Sequence, residues 1–169
     1  FMLASIFSLK VFAMFRPALP AFALLALTFP ATAQDVLPCE TTPDNRSCAR
    51  VFACIGPSGR WFEGRGIGRG QGRLDGHTSD GATCTGSWDN GDGLGTLPKA
   101  VFSCQDGTQG SVVYFHQDQY TGTAIGRGTT TKGQTVEVWT GEHVVEFFRR
   151  GAPSAQALLL CGEAAIPIS

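Results

Sequence analysis

The sequence predicts an all-β domain, an antiparallel meander of repeated hairpins closing into a small barrel or sandwich and stapled by disulfides. Three observations predict it. From Arg50 onward, short runs of β-branched and aromatic residues alternate with turns built from Gly, Asp and Asn. Glycine takes every second position from Gly64 to Gly72, with Glu63, Arg65, Ile67, Arg69, Gln71 and Arg73 interleaved. A helix would lose about 1 kcal/mol at each of those glycines relative to alanine, whereas a strand merely bares one face. Finally, six cysteines follow a segment that reads as an export signal.

That signal occupies residues 1–33. Ala18 to Phe29 is almost wholly apolar, follows Arg16, and leads to Ala31-Thr32-Ala33 before Gln34. A positive flank, a short apolar stretch and an A-x-A site predict cleavage after Ala33. The stretch is too short and too interrupted by proline for a membrane span of roughly 20 residues. Residues 1–13 are apolar apart from Lys10, and Met14-Phe15-Arg16-Pro17 alone would begin a normal signal, so translation is expected to start at Met14. Retention as an uncleaved anchor is the rival reading. Pro38 directly before Cys39 argues against lipid attachment there. The expected setting is periplasmic or secreted, with no stable membrane span after cleavage.

The chain has 13 basic and 14 acidic residues; residues 1–33 hold Lys10 and Arg16 and no acid, which leaves 11 against 14, a formal charge of −3. Bulk charge therefore excludes a polyanion binder, and nucleic acid is not an expected partner. The remaining length, about 136 residues, suffices for one domain. Residues 34–49 read as an arm and 50–169 as the single all-β domain. Cys39, Cys48, Cys54, Cys84, Cys104 and Cys161 are separated by 9, 6, 30, 20 and 57 residues. No metal knuckle has those spacings, so a disulfide framework is expected, and neither metal nor cofactor. Of the 15 pairings open to six cysteines, the expected set is Cys39–Cys48, Cys54–Cys84 and Cys104–Cys161.

The elements follow in order. Gln34 to Ser47 is rich in Pro, Thr, Asp and Asn and forms the arm. Expected strands are 50–55, 60–73, 82–88, 99–104, 111–116, 119–125, 134–140 and 143–149, with a last strand at Leu158–Cys161. Val113 with Phe115, Val136 with Val138, and Val145 with Phe147 form period-two core stripes. Val112, Tyr114, Trp139 and Phe148 make the opposite faces apolar too, so both faces are expected to be covered in places. Asp89-Asn90-Gly91-Asp92-Gly93 and Gln105-Asp106-Gly107 are turn signals. No amphipathic helix is expected.

The spacing Phe62-x-Gly64-x-x-x-Gly68-x-Gly70 recurs at Tyr120-x-Gly122-x-x-x-Gly126-x-Gly128, and Val51-Phe52-Ala53-Cys54 is echoed by Val101-Phe102-Ser103-Cys104. Such units fit hairpins in which an aromatic ring lies over glycines of the adjoining strand. Cys84-Thr85-Gly86-Ser87-Trp88-Asp89-Asn90-Gly91, followed by Gly93-Leu94-Gly95, resembles a MORN repeat, with Cys84 in the tyrosine position and the final glycine pair two residues early. That resemblance implies a meander of hairpins serving as a scaffold or binding surface. Phe102-Ser103-Cys104, Val113 to Phe115, Trp139-Thr140-Gly141 and Leu160-Cys161 are similar in order to the periplasmic inhibitors of C-type lysozyme. Their S-G-x-x-Y loop has no match; Thr123 to Gly128 stands in its place, so no inhibitory residue carries over.

No catalytic constellation emerges, and the chain is read as non-enzymatic. His77, His116 and His143 are far apart in sequence, and Ser58 in Gly56-Pro57-Ser58-Gly59-Arg60 misses the nucleophile-elbow pattern at its last position. His77, between Asp75 and Asp80, could be a tuned base, though a solvated loop is the plainer reading. The calcium frame over Asp89, Asn90 and Asp92 would put Trp88 at its first ligand position. Glu137 and Glu146 read as the wet sides of strands. Ligand-binding candidates are Arg65, Arg69 and Arg73, which share strand parity, and Trp61 and Trp88, which could stack on sugar rings. The competing readings are solvating charges on a glycine edge and tryptophans spent on the core. The functional expectation is an exported binding or structural module of the cell envelope, partnered by a glycan or a protein. A lysozyme-inhibitor-like barrel and a hydrolase using His77 are the alternatives.

Overall fold

The computed structural model describes residues 39–40, 47–149 and 154–169. The expected signal at 1–33, the start at Met14 and most of the 34–49 arm lie outside the described residues. Eight strands run β1 (Cys48–Ile55), β2 (Arg60–Arg69), β3 (Gln71–Thr78), β4 (Thr83–Asp89), β5 (Lys99–Cys104), β6 (Gln109–Gln117), β7 (Ala124–Thr130) and β8 (Thr135–Gly141). Each pairs antiparallel with the next, and β8 returns to β1, with Val51 opposite Thr140 and Ala53 opposite Val138. The meander is thus a closed barrel rather than a sandwich, and closure leaves none of these eight strands with a free edge.

Side-chain alternation divides each strand between an inner and an outer face. Val51, Ala53, Ile55, Phe62, Leu74, Cys84, Ala100, Cys104, Val112, Val136 and Val138 fill the interior. Glycines give the aromatic rings room there. A Cβ on Gly64 or Gly76 would strike the ring of Phe62, one on Gly110 the ring of Phe102, and one on Gly126 that of Tyr114. The alternating glycines of β2 therefore face inward and the arginines between them, Arg65 and Arg69, outward.

A second core lies outside the barrel. After β8 come the short helix α1 (Val144–Phe148) and a hairpin of β9 (Ala157–Cys161) and β10 (Ala164–Ile168). They bury Phe52 and Cys54 of β1 with Val144, Ala157, Leu159, Cys161 and Ile168, and Trp61 and Trp139 pack at the edge. Phe148 meets Phe52 and Trp139 edge-on, at centroid distances of 6.4 and 5.5 Å.

Several expectations are corrected. The strand expected over 60–73 is a hairpin: Gly70, at φ +70°, reverses the chain, and β3 continues to Thr78. A turn glycine inside a run of strand glycines leaves no compositional mark. The strand expected at 119–125 begins only at Ala124, because Asp118 accepts bonds from the backbone N–H groups of Tyr120 and Thr121 and holds a turn there. Residues 144–148 are helical, since a turn of helix places Val144, Val145 and Phe148 together against the outer core. Val113 and Phe115 face outward, 41% and 55% exposed; Val112 and Tyr114 carry the core side of β6. β10 has no counterpart among the expected strands.

Three disulfides close the molecule, and they mark an oxidising compartment. Cys39–Cys48 is as expected. The other two bonds are Cys54–Cys161 and Cys84–Cys104, in place of the expected Cys54–Cys84 and Cys104–Cys161. Strand parity is the reason. Cys54 points out of the barrel, where β9 brings Cys161, while Cys84 and Cys104 are direct inward partners across β4 and β5.

Candidate functional site

The two ends of the barrel differ. At one end, the turns β1–β2, β3–β4, β5–β6 and β7–β8 meet over a polar plug centred on Arg60. Its guanidinium donates to Asp106 Oδ2 at 2.7 Å, to Asp80 Oδ1 at 3.1 Å, and to the hydroxyls of Thr78 and Thr108 at 3.3 Å. Lys132 Nζ adds a bond to Thr108 at 3.2 Å. Thr78 and Thr108 are fully buried. The backbone N–H of Thr108 holds the Asp106 carboxyl down at about 2; the Thr108 hydroxyl and Arg60 act in the same direction, against burial. The Thr78 hydroxyl likewise lowers Asp80, again aided by Arg60. This end is closed by charge-assisted hydrogen bonds rather than by apolar packing.

At the other end lie the start of β1, the β2–β3 turn, the β4–β5 loop, the β6–β7 loop and the end of β8. There the interior opens into a cavity of about 580 Å³. Ala49, Leu74, Trp88, Ala100, Tyr114 and Thr140 are among the inward-facing residues that line it. Below it is a void of about 30 Å³, walled mostly by apolar side chains. Val51, Leu74, Ala100 and Tyr114 border both spaces and form the floor between them. The Trp88 indole lies across β2 and β3, its Nε1 2.8 Å from where a Cβ on Gly72 would sit and 3.2 Å from one on Gly66. That N–H is buried without a hydrogen-bond partner. Burial pushes the Tyr114 phenol up to about 12, so it stays neutral across the physiological range.

The sequence-predicted candidates do not converge on this cavity. Trp88 lines it, whereas Trp61 packs under the outer hairpin on the opposite face of the wall. Arg65, Arg69 and Arg73 all lie on the outer face of the β2–β3 hairpin. Arg65 donates to Asp75 at 2.9 Å, and Arg73 Nε stands 3.8 Å from the same carboxylate. His77 lies in β3 rather than in a loop, and its Nε2 is buried without a partner. Its two sequence neighbours are engaged elsewhere, Asp75 by arginines and Asp80 by Thr78 and Arg60. Among the described residues, no cluster of three His, Cys, Asp or Glu side chains could hold a metal ion, and no helix is long and apolar enough to cross a membrane. Sequence reasoning missed Tyr114, Leu74 and Arg60. Only the even spacing of Val112 and Tyr114 opposite Gly128 and Gly126 hinted at the first.

Fold and site together define the class: an eight-stranded up-and-down β-barrel, plugged at one end and open at the other. No family model matches the chain, and neither does any curated protein. Among solved structures it is similar to a de novo designed fluorescence-activating β-barrel (15% identity, TM-score 0.43), over 56% of this chain and 89% of that one. It is also similar to a redesigned β-barrel, mFAP1, bound to DFHBI (17% identity, TM-score 0.41), over 56% of this chain and 92% of that one.

Proposed function

We propose that the protein is an exported, non-enzymatic binding module of the cell envelope that holds a small molecule in the open end of its barrel. One observation carries the reading: a cavity of about 580 Å³ opens at one end of a barrel whose other end is sealed. Pockets for small ligands run from roughly 300 to 1,000 Å³ and combine apolar walls with a few polar groups, as this one does. The disulfides support export. A non-enzymatic role is supported by the commitment of the carboxylates around His77 to other partners: Asp75 to arginine, Asp80 to Thr78 and Arg60, and Glu63, its cross-strand neighbour, to Arg50.

Ala49 faces inward opposite Gly66, at the lip of the cavity. The test is native mass spectrometry of the oxidised protein purified from its own envelope fraction, beside an Ala49→Trp variant. The expected result is a small molecule bound near one to one in the parent and lost in the variant. Parent protein that carries nothing, before and after incubation with a lipid and metabolite extract of that envelope, would overturn the reading.

A further inference from the structure

We infer that the molecule held in the open end is uncharged and predominantly apolar; this narrows the binding function proposed above and rests on it. Strand parity supplies the first argument. The inward positions at this end carry Ala49, Leu74, Trp88, Ala100, Tyr114 and Thr140, with glycines between them, and none of these side chains is ionised. Asp89 and Lys99 stand at the rim, but they face each other across the outer side of β4 and β5. His116 lies beyond the β6 bulge, exposed and paired with Ile125.

An ion drawn into the cavity would lose water and meet no opposite charge inside. Such a transfer is strongly unfavourable unless the ion is paired and hydrogen-bonded. A neutral apolar molecule has no such desolvation cost and gains contact with the apolar walls. Its polar contacts would be to neutral groups, the Tyr114 phenol and the Thr140 hydroxyl.

The way in carries exposed apolar side chains beside Asp89, Lys99 and His116. Leu94 and Tyr120, 91% and 80% exposed, project from the β4–β5 and β6–β7 loops at this end. Leu97 and Phe115, more than half exposed, border the cavity itself. Elsewhere the exposed large hydrophobics are scattered over β5, β6 and β9. Exposed apolar side chains at the mouth of an uncharged, mostly apolar cavity suit a ligand sparingly soluble in water.

Two fluorescent probes that share one skeleton test the charge requirement: phenylnaphthylamine, which is neutral, and anilinonaphthalene sulfonate, which adds an anionic group. Each is titrated against the oxidised wild type, Ala49→Trp and a second lip variant, Ala124→Phe, Ala124 lining the cavity at the start of β7; circular dichroism reports which variants fold. The expected result is saturable one-to-one binding of the neutral probe, at least about 100-fold weaker binding of the sulfonate, and loss of the neutral probe in whichever lip variant folds. Equal binding of both probes, abolished by the lip variants, would overturn the charge inference and leave the binding function standing. Failure of the neutral probe to bind, or neutral-probe binding indifferent to the lip variants, would overturn the inference; the function reading itself is decided separately by the native mass spectrum.

Discussion

Gly66 and Gly72 both lie under the indole of Trp88, yet replacing them by alanine is expected to have unequal consequences. At Gly66 the nearest atoms to an added Cβ all belong to the indole, the closest at 3.2 Å, so a tilt of the ring by a few tenths of an ångström accommodates it. Alanine also recovers about 0.5–1 kcal/mol of chain entropy that glycine loses on folding. The net change for Gly66→Ala is therefore within about 1 kcal/mol of zero. At Gly72 the added carbon falls 2.8 Å from Nε1 and deep inside contact distance of the Ile67 carbonyl oxygen, which is fixed in the β2–β3 ladder. The hairpin must spread. Overpacking of this kind costs about 1–3 kcal/mol, and two weakened ladder bonds add about 1 kcal/mol each. After the entropy gain, Gly72→Ala should destabilise by about 3 kcal/mol. Urea unfolding of the oxidised protein, followed by tryptophan fluorescence, measures both; combining Gly72→Ala with Trp88→Leu should recover only a minor part of the loss, because the backbone contact remains. Equal costs at the two positions, or full rescue by Trp88→Leu, would refute the assignment of the barrier to the β2–β3 backbone.

Three further outcomes are expected. Leu74→Ala removes part of the floor between the cavity and the 30 Å³ void beneath it; it should destabilise by about 2–5 kcal/mol and let a longer apolar probe bind, and an unchanged urea midpoint would count against that floor. Asp106 has a folded-state pKa of about 2, below its usual 3.8, so its stabilisation is complete above about pH 4 and lost as pH falls through 2; Asp106→Asn should flatten the stability profile across that window, and a parallel profile would disprove the linkage. Deleting Cys54–Cys161, which spans 107 residues, should cost about 5 kcal/mol against about 3 for Cys84–Cys104, which spans 20, on the chain-entropy account; the reverse ranking in calorimetry of the double-alanine variants would show that local packing outweighs loop length.

Alternation alone was enough to read much of the fold. The period-two glycines excluded a helix, the turn dipeptides separated β4 from β5 and β5 from β6, and Val136 with Val138 gave the inner face of β8. Where composition carried no contrast, the reading failed. Gly70 turns the chain within a run of alternating glycines, and the segment offers Val145 with Phe147 to a strand as readily as Val144, Val145 and Phe148 to one turn of helix. The candidate site was less legible still. Arg65, Arg69 and Arg73 stand out in the sequence because they are charged, but alternation sends them outward; of the candidates only Trp88 lines the cavity, beside alanine, leucine, tyrosine and threonine, residues too common to draw attention.

By itself, the amino-acid order determined the β class, the disulfide chemistry and the distribution of side chains between two faces, because each depends on residue type and short-range spacing. Only the tertiary structure decided which face is inside, which cysteines meet, and which end of the barrel is open. Those depend on the closure of β8 onto β1, a pairing between segments some eighty to ninety residues apart, and local preference does not specify a partner at that distance.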